Sequence, residues 1–347
     1  MDPNEQSLPP QAIVMQMVMG AWVSQTISTI TRLDVPDLLH EHGALTARRL
    51  TGEYDVDAKP EFLERALRAC ASLGIVTEDQ DGRFGPTELS EVLTLGSPAS
   101  VKKLAEVMGG SWWKIWTGLE EAIRTGASQA KNQLGMEYWD YCVANPKEME
   151  DFGEAMKSNS INSMYAVLEH CDLEGFSTVV DVGGGFGHLA MALCARYPEL
   201  RGVVLDLPDT VKLAESKAAD QPRDLLARME FTGGDMFESV PEGDVFVLKH
   251  IIHDWDDPRC RKLLANCVAG MSDGGRVICV DAVLPPMGDT GGVAGKLLDL
   301  DMMVFIPGME RTETHWRELY ASASLEVVSI TPIQDNFGTS IIEGVRP

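Results

Sequence analysis

The stretch VVDVGGGFGH, residues 179–188, decides the fold. Three valines around one aspartate run directly into four glycines within five positions, so a hydrophobic strand ends in a turn with almost no side chains. The helical pattern HLAMALCARY follows at once. A strand, a glycine turn and a helix in this order are typical of the first unit of a parallel α/β sheet. The glycines indicate that a ligand or a neighbouring helix closely approaches the backbone.

After residue 176, apolar strands alternate with amphipathic helices. The strand patterns are STVVDV, GVVLDL, RMEFTG, DVFVLKHI and GRVICVDAV, and two late strands, LEVVSITPI and TSIIEGV, flank a turn at residues 335–338. This alternation predicts an α/β, Rossmann-like fold with a seven-stranded, mainly parallel sheet and a terminal antiparallel hairpin.

The first hundred residues follow a different, helical pattern. The segment IVMQMVMGAWVSQTISTI is apolar nearly all round and carries no charge, so we expect a partner subunit to cover it. Two helix patterns and a short β-ribbon follow, an arrangement typical of a winged helix. We predict a winged-helix-like dimerisation domain over 1–100, a helical connector over 101–170 that contributes to a substrate pocket, and a catalytic domain over 171–347.

Composition limits the possible partners. The net charge is -24, and residues 1–100 hold 7 basic against 15 acidic side chains, which argues against binding to nucleic acid or an anionic membrane. Seven cysteines without a C-x-x-C pair favour reduced, buried thiols. With no signal-peptide pattern and no uninterrupted apolar span, we expect a cytoplasmic protein.

The glycine turn fits neither common phosphate-binding motif. Gly183 and Gly185 match the first two positions of G-x-G-x-x-G, but the third position is His188, and no Gly-Lys-Ser or Gly-Lys-Thr follows. The next strands end in LDLPD, GGDMF and LKHIIHDWDD. An acid at Asp206, 19 residues beyond Gly187, suits the hydroxyls of a ribose.

The motif set D-x-G-G-G-x-G, L-D-L-P, G-D-M-F, L-K-x-I-x-H-D-W, RVICVDAVLP and GMERTE resembles that of S-adenosylmethionine-dependent O-methyltransferases. That family includes plant caffeic acid O-methyltransferase and bacterial enzymes that tailor polyketide and aromatic antibiotics. The resemblance covers essentially the whole chain and implies a homodimer joined through the N-terminal helical domain. It also implies the cofactor S-adenosylmethionine, with S-adenosylhomocysteine as product.

Carried over residue by residue, the resemblance implies a cofactor site. The glycine turn would approach the methionine part, Asp206 would bind the ribose, and Asp235 with Met236 would frame the adenine. The full implied set is Ser160, Asp181, Gly183, Gly185, Asp206, Leu207, Asp235, Met236, Phe237 and Lys249.

The resemblance also implies that His253 is the catalytic base. A neutral imidazole is a suitable base for a phenol-like hydroxyl near pH 7. The two acids that orient this base in the family match Glu310 and Asp281, and Asp281 replaces a glutamate and so reaches less far by one methylene. Asp254 lines the same region or caps the following turn. With a histidine base and no convincing acidic cluster, we expect no metal.

For the acceptor pocket we expect a hydroxylated aromatic small molecule among pliable and aromatic side chains. The candidates are Trp113, Tyr138, Phe152, Met156, Asp254, Met302, Met303 and Phe305.

Two other functions remain open at the level of sequence. The fold and cofactor can be retained while the reaction becomes hydroxylation, decarboxylation, rearrangement or N- or C-methylation. A winged-helix regulator that senses a nucleoside-like ligand belongs to a different class, and the acidic N-terminal domain argues against it.

Overall fold

The computed structural model describes residues 8–335 and 337–347, except for the side chains of residues 157–162. The chain forms two compact units. The first comprises Met1–Trp113 with Glu154–Ser158, and the second comprises Lys114–Gly153 with Asn159–Pro347.

The first unit is mainly helical, as its sequence pattern predicts. Its elements are α1 (Pro10–Arg32), α2 (Val35–His42), β1 (Leu45–Thr46), α3 (Ala47–Glu53), α4 (Pro60–Ser72), β2 (Thr77–Glu78), β3 (Arg83–Gly85), α5 (Glu88–Glu91) and α6 (Lys102–Met108). The predicted ribbon forms as β2 and β3, and β1 joins it in the order β1-β3-β2. Thr46 caps α3 through its side chain, and Leu50, Leu67 and Phe84 are fully buried between the elements.

Helix α1 leaves much of its apolar surface uncovered in a single chain. Its exposed large side chains are Ile13, Val14, Met15, Met17, Val18 and Trp22. Of the described helices, α1 alone is long and apolar enough to cross a membrane by length and composition, at a mean hydropathy of 1.2. The same length and composition suit a helix that a second subunit covers.

The second unit contains the sheet and its flanking helices. After α7 (Ser111–Trp116), which joins the two units, its elements are α8 (Leu119–Thr125), α9 (Ala130–Leu134), α10 (Tyr138–Ala144), α11 (Pro146–His170), β4 (Thr178–Val182), α12 (His188–Arg196), β5 (Arg201–Asp206), α13 (Pro208–Ala218), α14 (Arg223–Leu226), β6 (Met229–Gly233), β7 (Gly243–Lys249), a 3-10 turn (Ile252–Asp254), α15 (Asp257–Gly270), β8 (Met271–Leu284), α16 (Val293–Phe305), β9 (Arg311–Thr312), α17 (Glu313–Ser322), β10 (Glu326–Pro332) and β11 (Thr339–Val345).

The sheet order is β10-β11-β8-β7-β4-β5-β6. Strands β6, β5, β4, β7 and β8 are parallel, whereas β11 runs antiparallel to both of its neighbours. The mainly parallel sheet and its terminal hairpin are therefore confirmed. The predicted count of seven strands omits β9, which pairs with β8. A strand of two residues is too short to show an alternation of apolar and polar residues in the sequence.

Successive side chains along the central strands point alternately into two apolar cores. Val180 and Val182 face one core with Phe246 and Leu248, and Val179 faces the other. Each fully buried side chain of this size contributes roughly 1.5–3 kcal/mol relative to an exposed one. Burial on both faces explains why these strands are continuously apolar. Because β4 lies between β5 and β7, the chain order reverses at its carboxyl end, where the glycine turn begins.

Candidate active site

The glycine turn that follows β4 is held in a conformation that suits glycine. Gly183 has a φ of +68° and Gly185 a φ of +56°, values that other residues adopt only with strain. A Cβ on Gly183 would lie 2.4 Å from Ile251, so the segment after β7 packs directly against the turn. A Cβ on Gly185 would meet no atom within 4 Å. The backbone at Gly185 therefore borders open space that a ligand can enter.

Two acids fix the shape of this turn. Asp206, at the end of β5, accepts the backbone N–H groups of Gly185 at 2.8 Å and Leu207 at 2.7 Å. Asp181 accepts the N–H of Ala190 in the first turn of α12 at 3.2 Å. Burial raises the pKa of Asp206, and raises that of Asp181 to about 6. Both carboxylates thus stabilise local structure at the edge of the open space.

The other cofactor candidates lie at the ends of neighbouring strands. Asp235, just past β6, is exposed and accepts the N–H of Phe237 at 2.8 Å. Met236 and Phe237 pack partly against the core. Lys249 ends β7, and burial lowers its pKa while Asp181 and Asp281 oppose that shift. Leu207 is 40% exposed, and the side chain of Ser160 lies outside the described part.

His253 and Glu310 form a buried pair just beyond β7. His253 donates its Nδ1–H to Oε1 of Glu310 across 2.7 Å. The loop before Glu310 runs tightly along the 3-10 turn, because the Met309 N–H donates to the carbonyl of His253 at 2.9 Å. Asp299, on α16, accepts the backbone N–H of Glu310 at 2.8 Å. Two separate contacts therefore position the carboxylate that orients His253.

Two further acids surround the same imidazole at longer distances. Oδ1 of Asp281 lies 3.7 Å from Nδ1 of His253, and Oδ1 of Asp254 lies 3.4 Å from Nε2. Asp281 is fully buried on β8, and neither of its carboxylate oxygens has a hydrogen bond of good geometry. The side chain of Asp281 is one methylene shorter than that of a glutamate, and its carboxylate lies beyond hydrogen-bonding distance of Nδ1.

These charges reverse the usual effect of burial on a histidine. Burial alone would lower the pKa of His253, but Glu310 and Asp281 outweigh it and raise the pKa to about 10. Burial raises the pKa of Asp254 to about 7 and that of Asp281 to about 6. The carboxylates around His253 stabilise its positive charge and so favour the protonated form of the imidazole.

A second histidine lies close to this pair. His250 has a φ of +55°, and its Nδ1 lies 3.7 Å from Oδ1 of Asp281. One ligand atom from each of His250, His253 and Asp281 fits within 4.8 Å, which is a spacing that could hold a metal ion. His253 already donates Nδ1–H to Glu310, so a metal at that nitrogen would have to displace the hydrogen bond.

The predicted acceptor residues fall into three groups. Tyr138, Phe152 and Phe305 form one aromatic cluster, with ring centroids 4.2 Å apart for Tyr138–Phe305 and 5.8 Å for Tyr138–Phe152. Met302 is 7% exposed and Met303 partly exposed on α16. Trp113 and Met156 belong to the first unit.

Sequence reasoning missed three polar side chains of this region. Trp116 donates its indole N–H to Oδ1 of Asp301, and Asp299 holds the backbone of Glu310. The signal was present in LLDLDMMVF, where two acids interrupt an otherwise apolar helix. Burying an acid at such a position costs free energy unless the acid is paired. Acids of this kind therefore indicate a helix that borders a polar site.

Family models match both halves of the chain. Residues 15–96 match an O-methyltransferase dimerisation domain, and residues 116–326 match an O-methyltransferase domain. The second match alone covers more than half of the chain.

Curated relatives match over nearly their whole length. Phenazine O-methyltransferase PhzM of Lysobacter antibioticus is 32% identical over 98% of this chain and 97% of its own. The mitomycin biosynthesis 6-O-methyltransferase of Streptomyces lavendulae is 33% identical over 92% of this chain and 90% of its own.

Solved structures give the same result. The crystal structure of LaPhzM has a TM-score of 0.91 at 32% identity, covering 98% of this chain and 100% of that one. Human N-acetylserotonin methyltransferase in complex with SAM has a TM-score of 0.88 at 27% identity, covering 99% of both chains. With the glycine turn, the acids at the strand ends and these matches together, the chain belongs to the S-adenosylmethionine-dependent O-methyltransferase family.

Proposed function

We propose that this enzyme methylates a phenolic or enolic hydroxyl of an aromatic or polyketide-like small molecule in secondary metabolism, with His253 as general base. The observation that carries the proposal is the buried His253–Glu310 hydrogen bond, 2.7 Å long, in the segment packed against the glycine turn. Relatives named for phenazine and mitomycin support this class of acceptor.

The residues around the glycine turn fit S-adenosylmethionine. Gly185 borders open space. Asp206 keeps an acceptor site for a ribose hydroxyl, since a carboxylate offers about four sites and three are used by the N–H groups of Gly185 and Leu207 and the side chain of Thr210. Asp235 would accept the adenine amine beside Met236. Ser160, Asp181, Leu207, Phe237 and Lys249 complete the proposed set. When bound, the cofactor supplies a sulfonium-bound methyl group and a neutral thioether leaving group.

The chain's own task is to remove the proton of the acceptor hydroxyl. Nδ1 of His253 is engaged with Glu310, so Nε2 is the nitrogen that meets the acceptor oxygen. A pKa of about 10 at His253 matches a phenol of pKa about 10, and proton transfer between the two is then nearly balanced. Before methyl transfer, protonated His253 must release one proton to solvent. The neutral imidazole then takes the hydroxyl proton, and the resulting imidazolium and phenolate stabilise each other.

Glu310 and Asp281 have unequal parts in this proposal. Glu310 fixes the ring orientation of His253 through a hydrogen bond, whereas Asp281 acts through charge from 3.7 Å. Asp254 lies beside Nε2 and borders the position of the acceptor. The remaining proposed acceptor residues are Trp113, Tyr138, Phe152, Met156, Met302, Met303 and Phe305.

We propose that the reaction needs no metal. The hydrogen bond from His253 to Glu310 occupies Nδ1, the ring nitrogen that lies 3.7 Å from Oδ1 of Asp281. Dialysis against a chelator should leave kcat unchanged. Loss of activity that added metal restores would contradict this.

We propose a cytoplasmic homodimer that binds neither nucleic acid nor membrane, in which residues 1–100 dimerise, 101–170 connect and 171–347 catalyse. The uncovered apolar face of α1 and the match to a dimerisation domain support the homodimer. The net charge of -24 disfavours nucleic acid and anionic lipid.

The test is methyl transfer from labelled S-adenosylmethionine to a panel of hydroxylated aromatics, with the products identified by mass spectrometry. We expect O-methyl ethers and S-adenosylhomocysteine in equal amounts. Methylation at nitrogen or carbon, or conversion of an acceptor without methyl transfer, would favour an altered reaction on the same fold. Cofactor binding without any conversion would favour the ligand-sensing regulator.

A further inference from the structure

Arg311 is a buried cation that the proposed mechanism does not use. It directly follows Glu310, at the start of β9, and its side chain is 1% exposed. A guanidinium removed from water costs free energy unless protein acceptors replace the water. The groups that accept its hydrogen bonds therefore show which parts of the protein it holds together.

The guanidinium donates to backbone carbonyls of two separate segments. Nη1 donates to the carbonyl of Ile252 at 3.1 Å and to that of Met309 at 3.3 Å. Nη2 donates to the carbonyl of Trp255 at 2.9 Å. Ile252 and Trp255 lie on either side of His253, and Met309 directly precedes Glu310. One side chain thus joins the backbone that carries the proposed base to the backbone that carries its orienting acid.

The remaining contacts of Arg311 anchor it to the helices behind these segments. Nε and Nη2 donate to Oδ1 of Asp257 at 3.2 and 2.8 Å, and the guanidinium lies 5.9 Å from the ring centroid of Trp316. Sγ of Cys260 lies 3.4 Å from Nη2. These acceptors are spread around a planar group with donors on three nitrogens, whereas a lysine has one nitrogen and cannot reach all of them.

The same two segments also meet at Gly308. A Cβ on Gly308 would lie 2.1 Å from the carbonyl oxygen of His253 and 3.0 Å from Cα of Asp254. That carbonyl accepts the N–H of Met309 at 2.9 Å. Because backbone contacts backbone here, the separation of the two segments is fixed before any side chain of the site is considered.

We propose that Arg311 is a positioning residue: it fixes the 3-10 turn against the Glu310 loop and so keeps the Nδ1–H of His253 on Glu310 at 2.7 Å. It acts on removal of the acceptor's proton, and neither the cofactor nor the acceptor binds to it. The inference rests on the proposed function, because it concerns proton transfer at that site.

The kinetic test compares two acceptors, a phenol of pKa about 10 and a compound whose hydroxyl is already ionised at pH 7. Arg311→Lys keeps the charge but loses part of the carbonyl contacts. A catalytic group misplaced by about 1 Å can cost about 100-fold, so kcat for the phenol should fall about 10–100-fold. The ionised acceptor needs no base, so its kcat and the Kd for S-adenosylmethionine should stay within about threefold.

Arg317→Lys is the matched control for this substitution. Arg317 also donates to a carboxylate, that of Glu313 at 2.9 Å, and to a backbone carbonyl, that of Val327 at 3.1 Å. It holds neither the 3-10 turn nor the Glu310 loop. Arg317→Lys should leave kcat unchanged with both acceptors.

Gly308→Ala tests the same contact without changing Arg311. The added methyl group would push the two segments apart, so the selective loss with the phenol should recur, and the variant decides the question if Arg311→Lys does not fold. Gly52→Ala is its control, since a Cβ on this exposed glycine of α3 would meet no atom within 4 Å. It should leave both rates unchanged.

The hydrogen bond itself gives a readout that does not depend on turnover. The proton of a short, charge-assisted histidine–carboxylate bond gives a far-downfield NMR resonance, which is assigned to His253 by its loss in His253→Ala. We expect this resonance in the wild type and in Arg317→Lys. It should weaken or disappear in Arg311→Lys and Gly308→Ala.

An unchanged kcat for the phenol in Arg311→Lys, an equal loss with both acceptors, or an unchanged resonance in Arg311→Lys and Gly308→Ala would overturn the inference. The proposed function fails in a different way, namely if His253→Ala retains kcat. In that case the resonance alone decides whether Arg311 positions the pair.

Discussion

The two sides of the proposed active site are built differently. On the proposed cofactor side, the backbone defines the shape through two glycines with positive φ and the N–H groups held by Asp206. The proposed acceptor side depends on buried side-chain charge, with one imidazole among Glu310, Asp281 and Asp254. Changes on the first side should therefore affect binding of the cofactor, and changes on the second should affect proton transfer and its pH dependence.

Removing the imidazole gives the largest expected effect. His253→Ala should lower kcat by about 10²–10⁴-fold, because general base catalysis is lost, while the Kd for S-adenosylmethionine stays within about threefold. Kinetics and calorimetry on the same preparation measure both. If kcat survives undiminished, His253 is not the base. If the Kd weakens together with kcat, the two sides are not separable.

The pH profile tests the charge on His253. With a phenol of pKa about 10 and a histidine pKa of about 10, one proton must leave the pair, so kcat/KM should rise about tenfold per pH unit between pH 7 and 9. If the pKa of His253 were not shifted, kcat/KM would stay constant over this range. An acceptor whose hydroxyl already ionises below pH 7 is the control, and its profile should be flat.

The two orienting acids should differ in effect. Glu310→Gln breaks a 2.7 Å contact and should lower kcat on the order of 100-fold. Asp281→Asn, at 3.7 Å, should cost less than about tenfold. Asp281→Glu brings the carboxylate one methylene closer and should keep kcat near that of the wild type. Equal losses in Glu310→Gln and Asp281→Asn would show that charge matters more than the hydrogen bond.

A change on the cofactor side should weaken binding of the cofactor and leave kcat unchanged. Gly185→Ala places a side chain at a φ of +56°, at a conformational cost of about 1–2 kcal/mol, and should weaken S-adenosylmethionine binding about tenfold with kcat retained. Gly288→Ala, at a φ of +94° in an exposed loop, is the matched control. It should lose comparable stability but keep the cofactor Kd. An equal Kd change in both variants would contradict a direct role for Gly185.

The same difference between the two sides explains what could be predicted from sequence. The strands, the glycine turn and the terminal hairpin follow from apolar runs and glycine spacing, which are local signals. Strand β9 has two residues and no such signal. The raised pKa of His253 depends on which acids from β8, the 3-10 turn and the Glu310 loop meet in space. Asp301 was missed for the same reason, since its neighbour Trp116 is 185 positions away.

The exposed apolar face of α1 makes protein concentration a variable of the enzyme's stability. Because a partner that binds only the folded state stabilises it by mass action, the melting temperature should fall as the enzyme is diluted. Assays at nanomolar enzyme would then sample a different assembly from crystals or calorimetry at micromolar enzyme. Rate constants for this protein therefore need to be compared at stated concentrations, below and above the point at which α1 is covered.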